Sequence, residues 1–244
     1  MTSIDPFSHL RKPTWLDRIQ ALVEVILLAG LFSSVLASVA FSIAGSEEHS
    51  VVQDASTIAR FVLLEAFITL VLLAIILHLN QQRLRDLGLD WNRWIANVAW
   101  GVALIPVLFV LNLLVSVGFR ILLPQYHLER NPLMETIQTP QQLGLFLVAV
   151  LIAGGIKEEL QRAFILTRFR DHLGGVGVGL ILWSIAFGAG HYLQGLQGAV
   201  AAGLFGFLFG LLYLIRGSLV APIVAHGLYD VVALLGYWYL RGKA

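Results

Sequence analysis

The 244-residue chain has a composition that excludes an ordinary soluble domain. Hydrophobic residues make up 58% of it and charged residues only 13%, whereas roughly a quarter of the residues in a soluble domain are charged. The net charge of +1 gives no indication of a nucleic-acid partner, and the lack of cysteine excludes disulfides, thiolate catalysis and thiolate metal sites. The composition therefore predicts an integral membrane protein in contact with lipid.

Seven segments approach the length of about 20 apolar residues that a helix needs to cross the hydrocarbon core. In chain order they are 21–44, 61–79, 95–119, 143–164, 176–193, 200–215 and 219–239. This pattern predicts an all-α fold, a polytopic transmembrane helical bundle of about seven spans. In the sixth segment Gly203, Gly206 and Gly210 share one helix face, which predicts a seam of small residues against a neighbouring helix.

The charges between the spans predict the orientation, because basic residues of short loops tend to stay cytoplasmic. The basic residues lie before the first span and after the second, fourth and sixth: Arg11, Lys12, Arg18, Arg83, Arg85, Arg93, Arg168, Arg170 and Arg216. The loop after the first span is acidic, with Glu47, Glu48 and Asp54. We therefore expect a cytoplasmic N-terminus in the cell membrane, with the first span retained as an anchor. Arg241 and Lys243 fit this topology only with an eighth, re-entrant or half-length segment.

A group of ionisable residues lies within or beside the fourth span, although charge inside a span is costly. Glu158 and Glu159 precede Arg162 by four and three residues, so on a helix both carboxylates can reach its guanidinium. Solvated ion pairs at a cytoplasmic helix end explain this segment equally well. Glu24 and Glu65, in the first two spans, have no motif around them and are expected to be structural contacts between helices.

Three more ionisable residues lie in the last spans. His191 is near the end of the fifth span, and His226 and Asp230 are four residues apart on one face of the seventh. Such a pair can orient an imidazole or present two ligands to a metal or a water, or it can be a purely structural buried pair. If all these groups share one cavity, that cavity contains a base, imidazoles and an arginine, which are the groups that water-activated hydrolysis uses.

At these residues the chain resembles the CPBP family of intramembrane proteases, also called Abi or CAAX-protease-like, from about Leu143 onward. The family pattern is a Glu-Glu pair followed by three residues and Arg, then Phe-x-x-x-His, then His-x-x-x-Asn. Phe187 and His191 match the second element, and His226 and Asp230 match the third, with Asp in place of the commoner Asn.

The first element departs from the family pattern. Counted back from Arg162, the Glu pair falls on Lys157 and Glu158; the alternative pair is Glu158 and Glu159, with one residue fewer before Arg162. One residue rotates a side chain by about 100° on a helix, so the two alignments are not equivalent. If the catalytic base had to come from the position of Lys157, the protein would be inactive. Gln161 also stands where the family often has an aromatic residue.

The resemblance implies N-terminal spans and loops at 1–142 and a catalytic helical core at 143–244, within one membrane domain. It implies an intramembrane endopeptidase with these site residues: Glu158 to activate water, Glu159 to support it, Arg162 to hold the carboxylates, His191 and His226 to bind the water, a metal or the oxyanion, and Asp230 to orient or complete that set. The family is commonly labelled metallopeptidase, which implies a divalent metal such as zinc on His191 and His226. The chain has no His-Glu-x-x-His helix. Peptides or prenylated protein tails are the implied substrates.

Two other functions remain open from the sequence. One is a non-catalytic membrane scaffold on the same fold, which Lys157 makes credible. The other is a transporter that uses its buried ionisable residues to relay protons or bind ions, although the sequence contains neither a repeat nor paired broken helices.

Overall fold

The computed structural model describes residues 12–44, 54–91 and 93–241, and these residues form helices without any strand. The α-helices are α1 Trp15–Leu28, α2 Leu31–Ile43, α3 Ala55–Leu79, α4 Trp94–Leu122, α5 Pro132–Glu135, α6 Pro140–Ala149, α7 Glu159–Asp171, α8 Val176–Gly190, α9 Gly195–Arg216 and α10 Val220–Arg241. Short 3-10 turns occupy Leu84–Leu87, Pro124–Tyr126 and Tyr192–Gln194, and a π-helical segment, Val150–Glu158, joins α6 to α7. The predicted all-α class is confirmed.

The predicted first span is broken in the middle. α1 begins at a capping box in which Thr14 and Asp17 satisfy each other's backbone amides, and it ends at Leu28. α2 starts at Leu31, after Gly30, whose φ of +97° is a conformation that glycine adopts without strain. The two helices meet at a bend of 41°, which leaves backbone carbonyl groups at the end of α1 to be satisfied by side chains.

Within the described residues, fewer helices qualify as membrane spans than the seven expected. Four helices are long and apolar enough to cross a bilayer: Ala55–Leu79, Trp94–Leu122, Tyr192–Arg216 and Val220–Arg241. The bent pair α1 and α2 becomes a fifth if it is taken as one span. The predicted span 176–193 corresponds to a helix of only 15 residues, and the predicted span 143–164 carries the charged residues at its end. The count of seven is therefore not confirmed, and the eighth segment stays a prediction.

The orientation of the chain also stays a prediction, because it depends on charges at both ends and in the first loop. Arg11, Glu47, Glu48 and Lys243 lie outside the described residues. Asp54, the acidic residue nearest to that loop, caps α3 by accepting a hydrogen bond of 2.9 Å from the amide of Thr57. Hydrogen bonds from the hydroxyl and amide of Thr57 lower the pKa of the Asp54 carboxyl, and a charged cap matches the positive end of the helix dipole.

The helix that carries the predicted carboxylates is the most enclosed part of the fold. Every residue from 159 to 168 is buried, so this part of α7 has no face open to lipid or water. The π segment before it contains Gly154 and Gly155, and a Cβ atom on Gly155 would lie only 3.2 Å from the Cα atom of Gly227. The glycines of the π segment and of α10 therefore bring these two helices into backbone contact, which aligns the charged residues of α7 with those of α10.

The predicted seam of small residues in α9 is confirmed. A Cβ atom added to Gly203 would lie 3.2 Å from the carbonyl oxygen of Ser184, and one added to Gly206 would lie 3.0 Å from the ring of Phe187. Both neighbours belong to α8, so α8 and α9 pack backbone against backbone along this face.

A comparison of two glycines of α8 tests the close packing. In Gly188→Ala the new Cβ would lie 2.6 Å from the carbonyl oxygen of Ala199, whereas in Gly190→Ala it would have no neighbour within 4 Å. We expect Gly188→Ala to lower the free energy of unfolding by about 1–3 kcal/mol through overpacking, and Gly190→Ala to leave it nearly unchanged. Thermal unfolding of the purified protein in detergent measures both, and equal melting temperatures would contradict the packing.

Candidate functional site

His226 is the centre of a cluster of ionisable side chains between α7, the π segment and α10. Its Nδ1 atom lies 2.7 Å from Glu159 Oε1, and its Nε2 atom lies 3.7 Å from Glu158 Oε2 and 3.5 Å from Asp230 Oδ2. An ionised carboxylate only accepts hydrogen bonds, so Nδ1 carries the proton that is donated to Glu159. The Nε2 atom is then directed toward the carboxylates of Glu158 and Asp230.

Arg162 anchors the inner side of this cluster. Its Nη1 atom donates to Glu159 Oε1, and the exposed fraction of the two side chains is 1% and 0%. The guanidinium also lies 4.7 Å from the ring centre of Phe187 and 5.5 Å from that of Phe209, both of which contribute cation–π attraction. One oxygen of Glu159 is thus shared between Arg162 and His226, which holds the imidazole in one orientation.

Aromatic rings complete the walls of the site. The imidazole of His226 stacks on Phe209 with 4.6 Å between ring centres and 20° between planes, and Phe187 approaches it edge-on at 6.1 Å. Phe187 belongs to the motif seen in the sequence, but Phe209 was missed by sequence reasoning. Its position on α9, directly before Gly210 of the seam, was the available signal, because a ring beside a close helix contact is placed to touch the neighbouring helices.

Several polar atoms of the cluster are buried without a hydrogen-bond partner among the described residues. They are Glu158 Oε2, Glu159 Oε2 and the Nε and Nη2 atoms of Arg162. Buried polar atoms are nearly always paired in native proteins. The cluster therefore has both acceptor and donor capacity left for a further polar group.

The backbone approaches the cluster closely beside His226 because residue 154 has no side chain. A Cβ atom on Gly154 would lie 2.9 Å from Asp230 Oδ2 and 3.4 Å from His226 Nε2. The side chain of Asp230 is 27% exposed and that of Glu158 is 17% exposed, whereas Glu159 is fully enclosed. Glu158 and Asp230 thus form the more exposed side of the cluster, although the Glu158 Oε2 atom is itself buried.

His191 lies at the rim of the cluster. It follows the last residue of α8, its Nδ1 atom is 2.8 Å from the carbonyl oxygen of Phe187, and its ring packs on that of Phe187 at 4.5 Å. It interacts electrostatically with Asp230. Within the described residues it has no hydrogen bond to Glu158, Glu159 or His226. The structure thus gathers five of the six predicted site residues and places the sixth beside them.

The two alignments of the first motif differ in geometry. Lys157 faces away from His226, and its Nζ atom lies 2.8 Å from Glu65 Oε2 of α3. The two carboxylates of this motif that lie near His226 belong to Glu158 and Glu159. The geometry therefore favours Glu158 with Glu159 as the functional pair.

Glu65 and Glu24 are both contacts between helices, as expected, but their partners were not foreseen. Glu65 pairs with Lys157, and Glu24 pairs with Arg168 at 2.5 Å while it accepts a hydrogen bond of 2.8 Å from Asn80. Each pair links the N-terminal helices to the helix of the predicted site.

The arrangement does not supply a ready donor set for the expected metal. Among the residues that the structure describes, no three His, Asp or Glu side chains are grouped as ligands. His191 and His226 each direct Nδ1 to a protein oxygen, and the Nε2 atom of His226 is 3.5 Å or more from the nearest carboxylates. The zinc expected on His191 and His226 stays a prediction.

Two cavities formed by the described residues lie away from the cluster. One, of about 460 Å³, is lined by residues of α3 and of the segment after it together with Leu160, and another, of about 210 Å³, surrounds the Glu24–Arg168 pair. None of the six predicted site residues lines either cavity. The site is identified by its chemistry and burial, not by its volume.

The fold and this cluster define an integral membrane protein with a buried site of carboxylates, an imidazole and an arginine. Residues 139–232 match the family model of the type II CAAX prenyl endopeptidase Rce1-like proteins. The matched segment contains all six predicted site residues. No curated protein and no solved structure shows significant similarity to the chain. The resemblance to this family that the motifs indicate is thereby confirmed over the matched segment.

Removal of the guanidinium tests how the cluster is held together. In Arg162→Met the buried carboxylate of Glu159 loses its cation, and we expect the free energy of unfolding to fall by about 3–5 kcal/mol. The double variant Glu159→Gln/Arg162→Met has no unpaired charge and should recover part of that loss. Melting temperatures in detergent compare the two, and a single variant as stable as the wild type would show that the pair does not hold the core.

Proposed function

We propose that the protein hydrolyses a peptide bond within or near the membrane and that Glu158 activates the attacking water. The observation that carries the proposal is the position of Glu158 Oε2, which is buried without a hydrogen-bond partner among the described residues and lies 3.7 Å from His226 Nε2. A carboxylate in that position can accept a proton from a water held next to the imidazole.

The proposed reaction requires only groups of this chain. The water oxygen attacks the carbonyl carbon of the substrate while its proton passes to Glu158. The carbon–nitrogen bond then breaks, and Glu158 returns the proton to the leaving amine. In the proposed reaction His226 carries a proton on Nε2 as well as on Nδ1, and Nε2 donates to the oxygen on which charge develops, as the donors of an oxyanion hole do.

The remaining site residues act on Glu158 and His226. Glu159 and Arg162 are enclosed and touch His226 or each other, so we assign them to positioning the imidazole. Asp230 borders the same space as His226 Nε2, and we assign it to orienting the water or the substrate. His191, at the rim and next to Asp230, is proposed to contact the substrate as it enters.

We infer that the substrate is a peptide carried at the membrane, such as the prenylated C-terminal tail named in the description of the matched family. This inference agrees with a site inside an apolar bundle, where a lipid-modified tail is already concentrated. Residence in the cell membrane with a cytoplasmic N-terminus, as the loop charges indicate, would expose the site to such tails.

The carboxamide variant tests the base. Glu158→Gln keeps the shape of the side chain but cannot take a proton, and general-base catalysis contributes about 10²–10⁴-fold, so cleavage of a farnesylated fluorogenic peptide in liposomes should fall by that factor. Asp171→Asn, in an exposed pair with Arg170, serves as the matched control and should cleave normally. Unchanged cleavage by Glu158→Gln would refute the assigned base, and a wild type without any hydrolysis would favour the scaffold.

A second variant tests the close approach of residue 154 to His226 and Asp230. In Gly154→Ala the added methyl group would occupy the position next to Nε2 and Asp230, so we expect kcat to fall at least about tenfold by displacement of the reacting groups. In Gly144→Ala the methyl group would have no neighbour within 4 Å, and its kcat should match the wild type. Equal kcat values for the two variants would show that the reaction does not depend on the close approach of residue 154 to His226 and Asp230.

A further inference from the structure

A buried ion pair joins the site to a helix outside the matched segment. Lys157 Nζ lies 2.8 Å from Glu65 Oε2, and the exposed fractions of the two side chains are 8% and 9%. Glu65 is in the middle of α3, one of the four helices that qualify as spans. Because removing two charges from water costs about as much as their attraction returns, such a pair contributes little to stability but fixes which side chains meet.

The pair belongs to a larger polar contact between the N-terminal helices and the helix of the site. The hydroxyl of Thr69 lies 3.0 Å from Glu65 Oε1 and 2.7 Å from Ser33 Oγ of α2. One turn after Lys157, Gln161 donates its amide to the carbonyl oxygen of Leu28, at the break between α1 and α2. Lys157 and Gln161 are four residues apart and thus share one helix face.

Both side chains on this face are buried, and both contact the N-terminal helices. Lys157 contacts Glu65 of α3, and Gln161 contacts Leu28 of α1. The two contacts therefore belong to one interface.

Lys157 also reaches the carboxylate proposed to be the base. Its Nζ atom lies 3.9 Å from Glu158 Oε1, while Glu158 Oε2 is directed toward His226. The ammonium group thus stands between Glu65 and Glu158. It attracts one oxygen of Glu158 and leaves the other facing the imidazole.

We propose that Glu65 and Lys157 form a positioning pair, in which the ion pair sets the rotation of the π segment and so directs Glu158 toward His226. This proposal rests on the proposed function for the role of Glu158. It makes Glu65, a residue of α3 outside residues 139–232, a necessary part of the site. It also gives Lys157 a use that a scaffold interpretation does not require.

Kinetics of paired variants test the proposal. The neutral double variant Glu65→Leu/Lys157→Met has no unpaired charge and should fold, yet its kcat on the farnesylated peptide should fall at least about tenfold through misplacement of Glu158, with KM nearly unchanged. Glu24→Gln, in the other buried pair, is the matched control: it should lower the melting temperature without lowering kcat.

A readout without catalysis separates this proposal from the proposed function. The chain contains no cysteine, so Glu158→Cys/His226→Cys can be oxidised without background, and disulfide formation reports whether residue 158 faces residue 226. We expect the disulfide to form more slowly when Glu65→Leu/Lys157→Met is added. If the wild type hydrolyses nothing but this dependence is found, the positioning pair stands and the proposed function fails. The positioning pair would be overturned if Glu65→Leu/Lys157→Met changed neither the rate of disulfide formation nor kcat. In a protein without hydrolytic activity, an unchanged rate of disulfide formation would overturn it by itself.

Discussion

An ionised side chain that is buried away from water costs several kcal/mol unless a partner of opposite charge or a set of hydrogen bonds compensates it. The helix α7 and the π segment before it are under this constraint, because almost every residue from 157 to 168 is enclosed. Lys157, Glu159 and Arg168 each meet their partner on a different helix, at Glu65 of α3, His226 of α10 and Glu24 of α1. These pairings determine which helices surround α7 and where along its axis each of them lies.

Glycine makes the pairings possible by allowing the backbones to approach. Gly155 and Gly227 bring the π segment against α10, so that short side chains such as Asp230 reach the same space as His226. The π segment ends at Glu158, and a local change of helix register of this kind is frequent at functional sites. It places Glu158 and Glu159, which are adjacent in the chain, on the two nitrogen atoms of one imidazole. The carboxylate on Nδ1 is enclosed and tied to an arginine, while the one on Nε2 is accessible, and this difference supports distinct roles for them.

The site thus has a graded environment. At its inner side, Arg162 and Glu159 are enclosed between Phe187 and Phe209, where electrostatic interactions are strong because water is excluded. At its outer side the side chains of Asp230 and Glu158 are partly exposed. The proposed hydrolysis needs both conditions: an ordered set of charges, and a supply of the water that the reaction consumes.

The amino-acid sequence by itself determined the membrane class, the all-α fold, the glycine seam of α9 and the resemblance of residues 139–232 to the CAAX endopeptidases, because hydrophobic length, helical spacing and short motifs are local properties of the chain. It also named the residues that meet at His226, since spacing of three or four residues puts side chains on one helix face. Only the tertiary structure decided that α1 and α2 are separate helices, that Glu158 rather than Lys157 faces the imidazole, that His191 lies at the rim, and that Phe209, Glu65 and Glu24 are involved. The reason is that a charged residue can be recognised from the sequence, whereas its partner depends on the approach of helices that are distant in the chain. In addition, a single π segment changes which side of a helix a residue occupies.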